Sequence, residues 1–492
     1  MCPALREVPN INNKAEFIFD FAVIGAGPAG MAAAVRASEN GVNVALIDER
    51  VSLGGQIFKQ LGPGFRVAKP NLLQIPPNLG QALISKTEQS KITFFLNTTV
   101  LSIENNDLMV VGDGGHISTV TFRKLLIATG AYDRPVAFPG WTLPGVISAG
   151  AAQTLVKTQR VLPGSKIIFA GSGPVALAFP AQLAKLGANI VSVLEAGPPP
   201  TLMNVAKLFS ASVGNWDLIV DAMKYRSILV RKRIPVRYRS IIVEAHGTSR
   251  VEAVTIARVD RNWRIKQGTQ QRIEVDTLCL GYGFLPSNEL LRLVGCEFEY
   301  EESKGGYVVK TDEWGHTSMP NIFAVGDSSG VEGSYVAISR GNLVGISVCK
   351  ELGHLESVRA NIQARKFHSE TRRRRAFQRA LRSMFDVKVG IFELADDQTI
   401  ICRCETVRKK EIDLVINATT DLSVVKAFTR AGMGSCQGRN CQRQISAMVA
   451  LRHGIDIAKV PQGTPRFPVK PVALGLIADK SVTDQKYFFD AK

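Results

Sequence analysis

Two apolar stretches, each broken by a run of glycines and followed by an apolar helix pattern, set the frame of this chain. Phe21 to Ile24 is an uninterrupted apolar run of the kind that forms a strand buried on both faces, and it leads into Gly25-x-Gly27-x-x-Gly30. An alanine-rich segment with helical character follows, and Val44 to Ile47 forms a second strand ending at Asp48 and Glu49. The same order recurs in SKIIFAGSGPVALAFPAQLAKLGANIVSVLEAG, with Gly171-x-Gly173-x-x-Ala176 between the apolar stretches and Glu195 closing the second. Strand, glycine turn, helix and strand in this register predict dinucleotide-binding units, and hence an α/β fold with two Rossmann-like domains. Two shorter strands also end in small residues: KLLIATGAYDRPVAFPG places Ala128, Thr129 and Gly130, and MPNIFAVGD places Gly326 and Asp327.

Each part of the first unit has a mechanical duty. Gly25 permits the tight turn, Gly27 lets the backbone approach a pyrophosphate, and Gly30 allows helix to pack on strand, so a pyrophosphate rests on the helix N-terminus near Ala26 and Pro28. Asp48, eighteen residues after the last glycine, is placed to accept from an adenosine ribose. The second unit is weaker. Pro180 falls inside its helix, where it removes a hydrogen bond, and no arginine follows Glu195 to take a 2′-phosphate. NADP is disfavoured there, and a retained fold without NAD weighs at least as much as one that binds it.

These signals divide the chain. A nucleotide domain is expected at 15–145 and again at 276–350, with the second Rossmann domain, 146–275, inserted. A basic helical linker takes 351–395, a cysteine module 396–455, and an extended tail with Pro461, Pro465, Pro468 and Pro471 takes 456–492. The length, 492 residues, suits about three domains.

Charge changes the picture in one place. The net charge is +17, and Arg359 to Arg382 carry nine Lys/Arg against one Glu. Phe377, Ala380, Leu381, Met384 and Phe385 recur at helical spacing beside them, which predicts a basic-faced amphipathic helix rather than a nucleic-acid arm. Such a face serves as a solvated linker or as a docking surface for an acidic partner. No apolar run approaches the roughly 20 residues that cross a bilayer, and the N-terminus lacks a leader pattern, so a cytoplasmic location is expected.

Candidate chemistry concentrates in cysteine. Of eight, four fall within forty positions as two close pairs, Cys402 with Cys404 and Cys436 with Cys441. Four thiolates meet the requirement of a [2Fe-2S] centre, and Gly432, Gly434 and Gly438 supply the close approach by which backbone wraps a cluster. A structural zinc site and two disulfides remain open alternatives. Six histidines stand singly, and neither glycine-rich unit carries a redox cysteine pair.

GGQIFKQ, ATGAYDRPVAFPGWTLPGV, and CRCE with GMGSCQGRNC resemble the α, or A, subunits of heteromeric opine oxidases, whose relatives include hydrogen cyanide synthase and multisubunit proline, hydroxyproline and sarcosine dehydrogenases. The resemblance spans nearly the whole chain. It implies a glutathione-reductase-like flavoprotein with a bacterioferritin-associated-ferredoxin-like [2Fe-2S] module held by Cys402, Cys404, Cys436 and Cys441, although the second pair is C-x4-C here. The implied nucleotide, FAD or another ADP-containing cofactor, meets Gly25, Ala26, Gly27, Pro28, Gly30, Asp48, Glu49, Gly55, Gln56, Ala128, Thr129, Gly130, Gly326 and Asp327. It further implies a β, or B, subunit resembling D-amino-acid oxidase, an FMN that can lie between the subunits, a higher hetero-oligomer and contact with the respiratory chain. Two functions follow: a redox subunit of an amine or opine oxidase, or a self-contained NAD(P)H-dependent reductase of an electron carrier.

Overall fold

The structure, a computed structural model, describes residues 16–477 apart from 63, 66–76, 114 and 212–213. Glu16–Ile24 lies parallel between Val44–Ile47 and Ile117–Ile127, and Ile92–Phe95 pairs outside Val44–Ile47. This is the strand order of a dinucleotide-binding half. Asp107–Val111 and Thr99–Glu104 extend the sheet as an antiparallel meander, and Ile322–Ala324 returns beside the last three residues of Ile117–Ile127. Both faces are covered, which is why Phe21 to Ile24 are apolar throughout rather than alternating.

The second unit is a five-stranded parallel sheet in the order Val236–Tyr238, Ile190–Glu195, Ile167–Gly171, Thr277–Gly281, Val146–Ser148. A return to the first unit at residue 276 is therefore corrected. Thr277–Gly281 belongs to the second sheet, and the crossing comes at Phe284–Pro286, which pairs with Ala131–Asp133. An apolar parallel strand suits either sheet, so nothing local assigns it. The helix Pro174–Lys185 runs through Pro180, which is buried within it.

The cysteine module is a two-stranded ribbon, Ile400–Cys402 with Val407–Arg408, followed by the helices Lys409–Ile416, Leu422–Thr429 and Gln442–His453. Its apolar core is continuous with that of the second unit, running from Trp141, Trp263 and Tyr282 through Phe392 to Ile401, Val425 and Met448. Trp141 Nε1 donates to the Ile400 carbonyl at 2.6 Å. An ion network seals the other side. Arg134 Nη1 lies 3.0 Å from Glu302 Oε1, and Arg443 of the last helix also meets Glu302. Burial raises the Glu302 carboxyl, but the two guanidiniums outweigh it and hold the group below its ordinary range.

The basic segment forms one helix, Ser357–Arg382, and buries Ala360, Ala364, Phe367 and Phe377. Its arginines divide. Arg375 grips Glu332 with two bonds of 2.8 and 2.7 Å, Arg374 faces Asp217 at 3.3 Å, and Arg382 donates to the Val331 carbonyl, whereas Arg372, Arg373 and Arg379 are exposed. The C-terminal tail lies on its own chain rather than reaching for a neighbour. Val469 N–H donates to the Leu101 carbonyl at 3.1 Å, Arg292 donates to the Gly463 carbonyl at 2.7 Å, and Lys470 pairs with Glu49 at 2.8 Å.

Candidate functional site

The first glycine turn joins Glu16–Ile24 to the helix Pro28–Glu39. Gly25 has φ +106°, and a Cβ there would stand 2.3 Å from the Ala128 carbonyl oxygen, so only glycine lets the two loops meet. A Cβ on Gly30 would collide with Gly25 itself, whereas one on Gly27 would meet nothing within 4 Å. Gly27 thus borders open space, at the N-terminus of a helix with Pro28 in its first turn and no side-chain cap. Backbone N–H groups left in that state favour an anion.

The other candidate residues enclose this turn. Gly55 packs on Gly27, and the following Gln56 accepts from Lys59 at 2.6 Å. Ala128 N–H donates to the Ile24 carbonyl at 2.8 Å, Thr129 Oγ1 donates to the Ser287 carbonyl at 2.5 Å, and Gly130 accepts from Ser287 at 2.9 Å. Gly326, with φ +77°, brings Asp327 beside the first helix near Ala29. Asp327 accepts from the N–H groups of Glu332 and Gly333 at 3.1 and 3.3 Å, and burial pushes its carboxyl up.

The two acids at the end of Val44–Ile47 differ from the expectation for Asp48. Its carboxylate is buried and occupied, accepting from Ala26 N–H at 2.6 Å and Arg50 N–H at 2.8 Å. Burial pushes that carboxyl up despite both donors. Glu49 is the acid that faces outward, and Lys470 holds it below the ordinary carboxylate range against the pull of burial. Strand alternation puts neighbours on opposite sides, which motif spacing does not resolve.

Four residues near the turn carried no local signal. Lys59 bridges Gln56 and Thr154 Oγ1, at 2.6 and 2.5 Å, and burial lowers it to about 8. Tyr132 is pushed up by burial, between the cradle and the cysteine loop. Arg439, inside the Cys436 to Cys441 loop, pairs with Glu289 at 2.9 Å and donates to the Val469 carbonyl at 3.1 Å. Phe385 is the fourth. It lies 3.8 Å from where a Gly173 Cβ would stand, so the segment after the basic helix crosses the second glycine turn. There Glu195, the counterpart of Asp48, is likewise buried and accepts from Gly173 and Gly197 at 3.1 and 2.8 Å.

The four cysteines of the module converge. Cys402 ends its strand, Cys404 follows in the turn, and Cys441 directly precedes the helix Gln442–His453. The thiols pair across the motifs, Cys402 with Cys441 and Cys404 with Cys436. Bonding from Cys441 lowers Cys402 to about 6. Sulfurs also receive backbone N–H groups: Gly432 and Glu405 at Cys402, Asn440 and Gly438 at Cys436. Ser435 Oγ donates to Cys404 Sγ at 3.7 Å. A Cβ on Gly434 would lie 2.3 Å from Cys404 Cβ, so only glycine admits this closure. Among the described residues no three His, Cys, Asp or Glu side chains gather as ligands of a single ion. Cys402 and Cys441 are buried while Cys404 is exposed.

Residues 19–341 match the pyridine nucleotide-disulphide oxidoreductase family, and residues 397–480 match the sarcosine oxidase A3 domain. The chain is 30% identical over 466 residues to hydrogen cyanide synthase subunit HcnB of Pseudomonas protegens, covering 92% of this chain and 95% of that protein. It is 30% identical over 489 residues to the α, or A, subunit of opine oxidase from Agrobacterium tumefaciens, covering 96% and 94%. L-proline dehydrogenase from P. horikoshii superposes with a TM-score of 0.65 at 22% identity over 94% of this chain and 80% of that one, a likeness of fold.

Proposed function

Because the chain belongs to the pyridine nucleotide-disulphide oxidoreductase family, among relatives that include an opine oxidase subunit and the HcnB subunit of hydrogen cyanide synthase, it is an oxidoreductase, and we propose that it is the redox subunit of a heteromeric amine or opine oxidase. A D-amino-acid-oxidase-like partner oxidises the substrate, and this chain takes the electrons and delivers them to a respiratory acceptor. One observation carries the reading: the cysteine loop and the nucleotide cradle share one set of contacts. Arg439 between Cys436 and Cys441 holds the Val469 carbonyl, and the next residue, Lys470, pairs with Glu49 at the cradle.

The residues fit both groups. Gly25, Gly27, Gly30 and Pro28 would hold the pyrophosphate of FAD, Glu49 would accept from its ribose, and Asp327 with Thr129 and Gly130 would border the ribityl chain, while Asp48 keeps Ala26 in place. Cys402, Cys441, Cys404 and Cys436 would hold a [2Fe-2S] cluster with one crosswise pair for each iron. When bound, these groups supply two-electron and one-electron transfer respectively. The chain contributes orientation and donors: N–H groups at the sulfurs stabilise negative charge there, and the buried Cys402 and Cys441 keep water from the inner edge.

A self-contained NAD(P)H-dependent reductase needs a nicotinamide nucleotide on the second glycine turn. Phe385 over Gly173 and the occupied Glu195 oppose it.

The test is reconstitution. The chain alone should show negligible opine dehydrogenation, and co-expression with a D-amino-acid-oxidase-like subunit should restore electron flow to an artificial acceptor. Anaerobically purified protein should carry about two irons and two labile sulfides per chain, lost in Cys436→Ser with the adenine nucleotide retained. Stoichiometric zinc without labile sulfide would overturn the cluster, and robust oxidation by the isolated chain would overturn the division of labour.

A further inference from the structure

The second unit carries two helices, Leu202–Ser210 and Trp216–Arg231, that neither glycine turn nor cysteine module uses. Trp216–Arg231 is apolar on two opposite faces. Ile228 and Leu229 are buried, while Val220, Met223 and Val230, on the other side at helical spacing with Trp216, stand 42%, 60% and 61% exposed. Leu202 and Met203, at the start of the preceding helix, are 90% and 65% exposed. An outward apolar stripe costs solubility unless something covers it.

The surroundings of the stripe are cationic. Residues 200–240 hold eight Lys/Arg against two Asp. Both acids are engaged: Asp217 faces Arg374 at 3.3 Å, and Asp221 meets Lys224 at 3.2 Å. On the helix Trp216–Arg231, Lys224 and Arg231 flank the stripe on one side and Arg226 on the other, all exposed. The basic helix adds to this rim. Arg373 packs at Gly214, in the turn between the two helices, and the neighbouring Arg372 is exposed.

We propose that this helix pair is a docking face for an anionic lipid surface, with Leu202, Met203, Val220, Met223 and Val230 entering the headgroup boundary and Lys224, Arg226, Arg231 and Arg373 meeting lipid phosphates. The occupant follows from charge and shape of exposure. A protein interface has a polar rim of mixed sign, whereas this rim is of one sign because its acids are already paired, and a leaflet of anionic headgroups is its complement. Long cationic side chains beside an apolar stripe place their charges at phosphate level while their stems lie on the apolar region. No helix among the described residues is long and apolar enough to cross a membrane, and the face proposed here lies in the surface plane. The inference stands on the helix pair alone and does not depend on which cofactors the chain carries.

Co-sedimentation of the purified full chain with vesicles of phosphatidylcholine, with and without phosphatidylglycerol, tests it. Binding should require phosphatidylglycerol and fall as sodium chloride rises past the point where screening shortens to contact distance. The triple variant Lys224→Glu, Arg226→Glu, Arg231→Glu should weaken vesicle partitioning on the order of a hundredfold, at the strength usual for basic residues at such surfaces. Val220→Glu with Met223→Glu should weaken it at least about tenfold. Unchanged melting temperature and flavin content certify that each variant is folded, and the charge variant carries the test if the apolar one is not. No sedimentation with phosphatidylglycerol, or equal sedimentation of all variants, overturns the proposal. It is equally overturned if the variants keep vesicle binding and lose a copurifying subunit, since the face is then a protein interface.

Discussion

Asp48 and Glu49 are neighbours with opposite duties, and the difference is measurable. Removing the Asp48 carboxylate leaves the N–H groups of Ala26 and Arg50 without their acceptor in a buried turn, a loss of about 1–3 kcal/mol. Asp48→Ala should therefore lower the melting temperature and release nucleotide together. Glu49→Ala removes an exposed carboxylate whose partner is one lysine, so stability should hold within about 0.5 kcal/mol. Nucleotide retention, read by acid extraction after dialysis, should still fall. If Asp48→Ala retains both stability and nucleotide, the division between the two acids is wrong. Gly434 makes the same point for the cysteines, since a single Cβ would drive Cys404 from its place.

Elements are held together by a few polar ties between distant parts of the chain. His316, just before the strand Ile322–Ala324, presents Nδ1 to Asp312 at 2.7 Å and Nε2 to Glu351 at 2.6 Å, at the end of the helix Ser334–Glu351. Ser347 and the Phe323 ring also face it, and Lys124 shares Glu351 at 2.5 Å. Both nitrogens must donate to satisfy two carboxylates, which favours the imidazolium, and the bond to Glu351 is the chief cause of its raised pKa. A pKa raised by folding adds stability that is full below the unfolded value of 6.5 and disappears as pH rises through the folded one. His316 is partly exposed, so the pair is worth under about 1 kcal/mol, or about 2 °C in melting temperature for a chain of this size. Wild type should exceed His316→Gln by that margin at acidic pH and match it at alkaline pH. A constant difference across the range would remove the electrostatic explanation.

At the scale of the whole molecule, the tail acts as an internal strap. Residues 463–470 connect Arg292, Arg439 and Glu49, so they join first unit, cysteine module and cradle. Val469 is buried in the core of the first sheet. Deleting residues 461–492 should destabilise the isolated chain by about 3 kcal/mol, because it uncovers an apolar side chain and leaves two largely buried guanidiniums without their carbonyl acceptors. It should also increase nucleotide loss without any partner present. A truncated chain that keeps its melting temperature and loses only its partner would assign the tail to the interface instead. The contacts of Arg134, Arg443 and Glu302 bind the same module from its other side.

Local chemistry determined much of this protein. Glycine spacing between apolar runs specified the first Rossmann unit, because the turn needs residues without a Cβ and a doubly covered parallel sheet needs apolar strands, and both demands are written within thirty residues. The motifs GGQIFKQ, ATGAYDRP and GMGSCQGRNC likewise sufficed for kinship with opine oxidase subunits, which the relatives support. Other features depended on residues far apart in the chain. The sheet that takes Thr277–Gly281, the inward turn of Asp48, the placing of Phe385 over Gly173 and the tie from Lys470 to Glu49 each join positions whose local sequence is satisfied equally well elsewhere. Packing chose among those alternatives, since burial and pairing energies are summed over the folded chain and leave no periodic trace in any one segment.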